Sequence, residues 1–114
     1  LSFFPDVQDP TGNITQTSLE QISLAPGYYL ISYKISALFS TANYLQITPF
    51  YNGTSHLETG VYFATATNGS TACGSAYLIL YAPAATTLSF YYSGSANATD
   101  GEFNLTILKL RRFA

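Results

Sequence analysis

The sequence predicts an all-β domain, and three observations carry that prediction. Gly and Pro turn signals recur at intervals of roughly 10–20 residues, the apolar residues between them alternate with period two, and no segment sustains a helical period. The punctuation falls at Pro5, Pro10-Thr11-Gly12, Pro26-Gly27, Asn52-Gly53, Asn68-Gly69, Gly74, Pro83, Gly94 and Asp100-Gly101. Such spacing suits two packed antiparallel sheets. At 114 residues the chain is one domain, 1–114. A chain of this size buries about two thirds of its unfolded surface, enough for a real core.

The elements follow in order. Ile22 and Leu24 make a short alternation, within a stretch from Ser18 to Leu24 that also admits one helical turn. After Gly27, one face reads Tyr29, Ile31, Tyr33, Ile35, Ala37, and the other reads Tyr28, Leu30, Ser32, Lys34, Ser36. Leu45 and Ile47 alternate with Tyr44, Gln46 and Thr48. Pro49 lacks an amide hydrogen, which predicts an end, a bulge or an edge there. Leu78 and Leu80 alternate with Tyr77, Ile79 and Tyr81; Leu88 and Phe90 alternate with Ser89 and Tyr91. Phe103, Leu105 and Ile107 alternate with Asn104, Thr106 and Leu108. The expected core is Ile22, Leu24, Tyr29, Ile31, Tyr33, Ile35, Leu45, Ile47, Leu78, Leu80, Leu88, Phe90, Phe103, Leu105 and Ile107.

Charge is scarce: four basic and six acidic residues give a net −2, and charged residues make up 9% of the chain. Too few positive charges exist for phosphate-backbone binding, so a nucleic-acid partner is excluded on this ground. No apolar run reaches the ~18 residues of a membrane helix, so membrane insertion is not expected. No stretch reads as a signal peptide, and the absence of Met predicts a processed piece of a longer protein. With 10 Tyr and 8 Phe, a small monomer has difficulty hiding its rings, and Tyr is enriched at interfaces.

Two strands are apolar on both faces, whereas one sheet of a sandwich needs a single apolar face. In the run from Ala76 to Tyr81, Tyr77, Ile79 and Tyr81 fall on the side away from Leu78 and Leu80; in the last strand Leu108 and Leu110 do the same. Tyr77, Ile79, Tyr81, Leu108 and Leu110 are therefore the expected subunit contact, with Tyr44 and Phe50 as lesser candidates.

Catalytic and metal constellations are not expected. His56 is the single imidazole and reads as an exposed loop residue, and adjacent Ser55 points the other way on a strand. Cys73 has no cation near it in sequence and reads as a small buried thiol. A zinc site needs three or four His or Cys ligands and the chain has two; no cofactor motif is present. Asp6 and Asp9 read as turn residues, and Asp100-Gly101 as a hairpin turn. Lys109, Arg111 and Arg112 form a basic, solvated end. Five of the six Asn residues begin Asn-x-Ser/Thr sequons, and Asn13 and Asn97 are the loop-like candidates for glycosylation.

Several segments resemble the superfamily of tumour necrosis factors and complement globular heads. GYYLISYKI, Gly27 to Ile35, is similar to its Gly-x-Tyr-x-Ile-x-Tyr strand, preceded by ISLAPG, Ile22 to Gly27. LQITPFYNGT, Leu45 to Thr54, resembles its Leu-x-Ile strand and Asn-Gly turn. GSAYLILYAPAATTLSFYY, Gly74 to Tyr92, resembles its paired late strands, and DGEFNLTILKL, Asp100 to Leu110, the closing strand inserted into the middle of the inner sheet. The likeness is greatest to the C-terminal heads of bacterial collagen-like exosporium glycoproteins. Pro83-Ala84-Ala85-Thr86 stands where complement heads have Gly-Asp, so no ligand role passes to that loop.

The resemblance implies a two-sheet antiparallel jelly-roll sandwich of about ten strands, trimeric about a three-fold axis, at the end of a collagen-like stalk. It implies a non-catalytic, structural homotrimerisation head of a surface filament, extracellular or on a spore or cell surface, without cofactors, whose partner is itself. Two alternatives stand beside it: an adhesin module binding a host-surface protein or glycan through exposed Tyr, and a subunit of a pilus-like fibre.

Overall fold

The computed structural model describes residues 4–39, 43–65, 70–94 and 98–111. These contain nine strands: β1 (Ile14–Ser18), β2 (Gln21–Leu24), β3 (Gly27–Phe39), β4 (Asn43–Tyr51), β5 (Thr54–Ser55), β6 (Val61–Thr65), β7 (Ser70–Ala82), β8 (Thr86–Gly94) and β9 (Ala98–Leu110). The only other regular element among them is a three-residue 3-10 turn at Leu57–Thr59. The stretch from Ser18 to Leu24 carries no helical turn, because Gln21–Leu24 pairs on both sides, with β1 and β8.

The strands form two antiparallel sheets. One has the order β1-β2-β8-β4-β5, with β6 also on β4; the other has the order β7-β3-β9. The chain alternates between them: β2 to β3, β3 to β4, β6 to β7, β7 to β8 and β8 to β9 each cross. Nine strands fall among the described residues, and there β9 lies at an edge of its sheet rather than in the middle. The described residues before β1 form no strand that would flank it.

Period two is realised as burial. Tyr29, Ile31, Leu80, Leu24, Ile47 and Leu88 are wholly inaccessible, and Tyr33, Leu45 and Phe90 nearly so. The buried Tyr rings keep their hydroxyls satisfied at the rim. Tyr29 donates to the Ala25 carbonyl at 2.6 Å, and Tyr33 donates to the Thr59 carbonyl. Burial pushes both phenols above their ordinary value, because the charged form loses water that these carbonyls cannot replace.

Three departures from expectation have local causes. Phe103, Leu105 and Ile107 pack against the core but are only partly buried: β9 is an edge strand and lacks the cover that β6 gives β7, the other edge. Ala37, Tyr51, Val61 and Ala82 complete the core instead. Asp100-Gly101 makes no hairpin: Ser36 pairs with Glu102 and Leu38 with Thr99, so two residues oppose Ala37 in a bulge inside β9. Gly74 is no turn either. It sits within β7 where β6 crosses over it, and a Cβ there would lie 2.5 Å from Val61 Cγ1. Gly74→Val is thus expected to lower the thermal midpoint by separating β6 from β7, a shift readable by circular dichroism.

Pro49 is buried in β4, which runs on to Tyr51. Its carbonyl accepts from the His56 amide at 2.8 Å. Nitrogen and oxygen of one strand residue point to the same side, so the missing donor faces the gap between the β4–β6 and β4–β5 pairings. The Asn52-Gly53 turn behaves as expected, with φ of 52° and 74° at its two residues.

Candidate functional site

The β7-β3-β9 sheet turns Leu78, Leu80, Ile31 and Leu105 inward, so the alternate residues face away from the sandwich. Register arranges them in ranks across three strands. Tyr81, Tyr28 and Leu110 lie side by side; next come Ile79, Leu30 and Leu108; then Tyr77, Ser32 and Thr106. Beyond these the ranks turn polar: Ser75, Lys34 and Asn104, then Cys73, Ser36 and Glu102. One end of this face is therefore a continuous apolar patch and the other end is hydrophilic.

The patch is open to solvent in the single chain. Tyr77 is 75% accessible, Ile79 and Leu108 55% each, and Tyr81 51%. Leu110 and Leu30 are half-buried by neighbours. Tyr28 stacks on Tyr81 with ring centroids 4.6 Å apart, which fixes both rings in the patch. The structure thus brings together Tyr77, Ile79, Tyr81, Leu108 and Leu110, and adds Tyr28 and Leu30 from the central strand. Sequence reasoning missed those two, although the same parity argument finds them: they alternate with Tyr29 and Ile31.

Tyr44 and Phe50 fall elsewhere, on the outward side of β4 in the opposite layer. Tyr44 stacks with Tyr62 at 6.1 Å, and Phe50 meets Tyr91 edge-on at 5.7 Å. They belong to a second aromatic face rather than to the first patch.

His56 is not an exposed loop residue. Its ring stacks on Tyr51 with centroids 3.7 Å apart, Nδ1 lies 2.8 Å from Glu58 Oε1, and Nε2 lies 3.2 Å from the Tyr51 carbonyl. The Asn52-Gly53 reversal returns the chain against β4 and makes this clasp. Glu58 is held below its ordinary value by its own backbone amide and by His56. Beside it, a cleft is walled by Tyr77, Ser32, Ser75 and Thr59. Cys73 is exposed rather than buried, because it lies on the outward parity of β7 at the polar end. Among the described residues, no three His, Cys, Asp or Glu side chains converge in a way that could hold a metal ion.

Asn13 sits in the turn before β1. Its amide nitrogen donates to Thr11 Oγ1 at 2.7 Å, and its oxygen accepts from Lys109 Nζ at 3.0 Å. Asn97 lies outside the described residues, as does Arg112. Asp9 organises the same turn by accepting from the Thr11 amide and hydroxyl and the Ile14 amide at 2.7–2.9 Å. Those bonds, the Thr11 hydroxyl first, hold its carboxyl below the ordinary 3.8.

A carboxylate with a lowered folded-state pKa contributes stability above its unfolded value and loses it as pH falls through the folded one. For Asp9 and Glu58, with ordinary values of 3.8 and 4.5, melting temperature is expected to decline below about pH 4.5. Asp9→Asn should flatten the lower part of that decline. A pH series of thermal melts checks it, and identical slopes for both proteins would contradict the assignment.

Comparison with protein-family models finds no match, and comparison with curated proteins finds none.

Proposed function

We propose that this domain is a structural, non-catalytic homotrimerisation head of a surface-exposed filament protein, with the apolar end of the β7-β3-β9 outer face as its subunit contact. The observation that carries the reading is the seven-residue patch of Tyr28, Leu30, Tyr77, Ile79, Tyr81, Leu108 and Leu110, laid out in register across three strands. Contiguous exposed apolar surface of this kind marks interaction sites in soluble proteins. The repeated crossing of the chain between two antiparallel sheets supports a jelly-roll topology, and the resemblance to trimeric globular heads supports the three-fold assembly.

A ring of three closes only if its contact surfaces converge on one axis; opposite faces of a sandwich would stack into an open fibre. The reading therefore assigns the axis to the β7-β3-β9 face and leaves Tyr44 and Phe50 outside it. Three upstream chains held at one point have a raised effective concentration, which sets the register of a collagen-like stalk. The test is a fusion of Gly-Pro-Pro repeats upstream of Leu1. The stalk should melt at higher temperature than the free repeat peptide and refold independently of concentration. A stalk that melts and refolds like the free peptide contradicts the role.

A further inference from the structure

The second sheet offers a different surface, and its chemistry favours a different occupant. Its strands β1, β2, β4, β5, β6 and β8 contain no Asp, Glu, Lys or Arg. Among the described residues every strand-borne charge lies on the other sheet, at Lys34, Asp100, Glu102 and Lys109. On the outward side of β4, β6 and β8, aromatic rings are interleaved with uncharged hydrogen-bonding groups. Tyr62 is 63% and Tyr91 55% accessible, and each is steadied by a less exposed partner ring, Tyr44 and Phe50 respectively. Gln46 pairs with Tyr62 and Thr48 with Tyr91, so the amide and the hydroxyl lie between the two open rings.

We infer that this face binds a neutral polysaccharide. The C–H faces of a pyranose are apolar and suit an aromatic ring, while its rim hydroxyls need uncharged donors and acceptors close by; this sheet presents both. Tyr62 and Tyr91 stand on either side of β4, separated by two strand spacings and one residue pair, on the order of 12 Å. That separation suits an extended chain touching both rings and crossing Gln46 and Thr48. A protein partner is less well matched, because the face lacks the Ile and Leu side chains that fill the patch on the other sheet. An acidic polymer finds no cation in these strands. The inference does not depend on the trimer.

Affinity electrophoresis through gels carrying hydroxyethyl cellulose, a β-1,3-glucan or a galactomannan, with alginate as the acidic comparison, tests it. At least one neutral polymer should retard the domain. Tyr62→Ala and Tyr91→Ala should each weaken that retardation about tenfold or more. Tyr62→Phe and Tyr91→Phe, which keep the ring, should retain most of it. Unchanged melting temperatures and unchanged mass by light scattering separate loss of the site from loss of fold or assembly. No retardation by any neutral polymer, retardation by alginate alone, or retardation untouched by either Ala variant would overturn the inference.

Discussion

Tyr77→Asp is expected to convert the proposed trimer into a folded monomer. The Tyr77 side chain is 75% accessible within one chain, so its loss leaves the sandwich core intact. Exposed substitutions of this kind shift stability by about 0.5 kcal/mol or less. At the proposed interface the effect is far larger. Burial of each ring contributes roughly 25 cal/mol per Å² of apolar area, and a carboxylate placed there loses that gain. Taking the charge out of water adds several kcal/mol per ion, and a trimer carries three copies. Thr54→Asp on β5, exposed in the opposite layer, should leave the assembly unchanged. Sedimentation velocity distinguishes the outcomes, and a Tyr77→Asp protein that sediments like the parent would move the interface elsewhere.

Leu80→Ala is expected to cost about 2–5 kcal/mol of folding stability, through lost transfer energy and the cavity left behind. Leu80 is wholly inaccessible near the C-terminal end of β7, opposite Tyr29 of β3. Ile107→Ala should cost less, below about 2 kcal/mol, because Ile107 keeps part of its surface in water. Urea denaturation of both variants gives the comparison, read as midpoint shifts at constant slope. An equal loss at the two positions would mean that β9 is covered more completely than the partial burial of Ile107 shows.

The contrast between Leu80 and Ile107 also shows how far sequence pattern reaches. Alternation alone identified which parity of β3, β4, β7 and β8 turns inward, because a strand sends successive side chains to opposite faces whatever its neighbours. It could not rank burial between strands, since that depends on what the opposite layer lays over each one. Leu105 and Leu80 look equivalent in sequence and both lie on edge strands, but β6 crosses over β7 and gives β9 no such cover. Pattern reading likewise took Gly74 and Asp100-Gly101 for turns. A glycine required by a crossing strand, or by a bulge, has the same local signature as a turn glycine.

The apolar patch on the β7-β3-β9 face was legible for the same reason and incomplete for a related one. Tyr77, Ile79, Tyr81, Leu108 and Leu110 stand out because their strands are apolar on both parities. Tyr28 and Leu30 were masked by Ser32, Lys34 and Ser36 farther along the same face of β3. Only register shows that the apolar half of that face aligns with apolar residues on both neighbours. Tyr44 and Phe50 have the same parity signature, but β4 belongs to the other layer, and membership of a sheet is not a local property. The His56 clasp on Tyr51 and Glu58 depends on a chain reversal and was equally out of reach.

The mass of the purified domain in solution tests the central claim most directly. Static light scattering at micromolar concentration should give about 37 kDa, three times the 12.4 kDa chain, with no drift on dilution through the micromolar range. A stable monomer of 12.4 kDa would contradict both the interface and the role built on it, and an open-ended distribution of larger masses would contradict the closed three-fold arrangement.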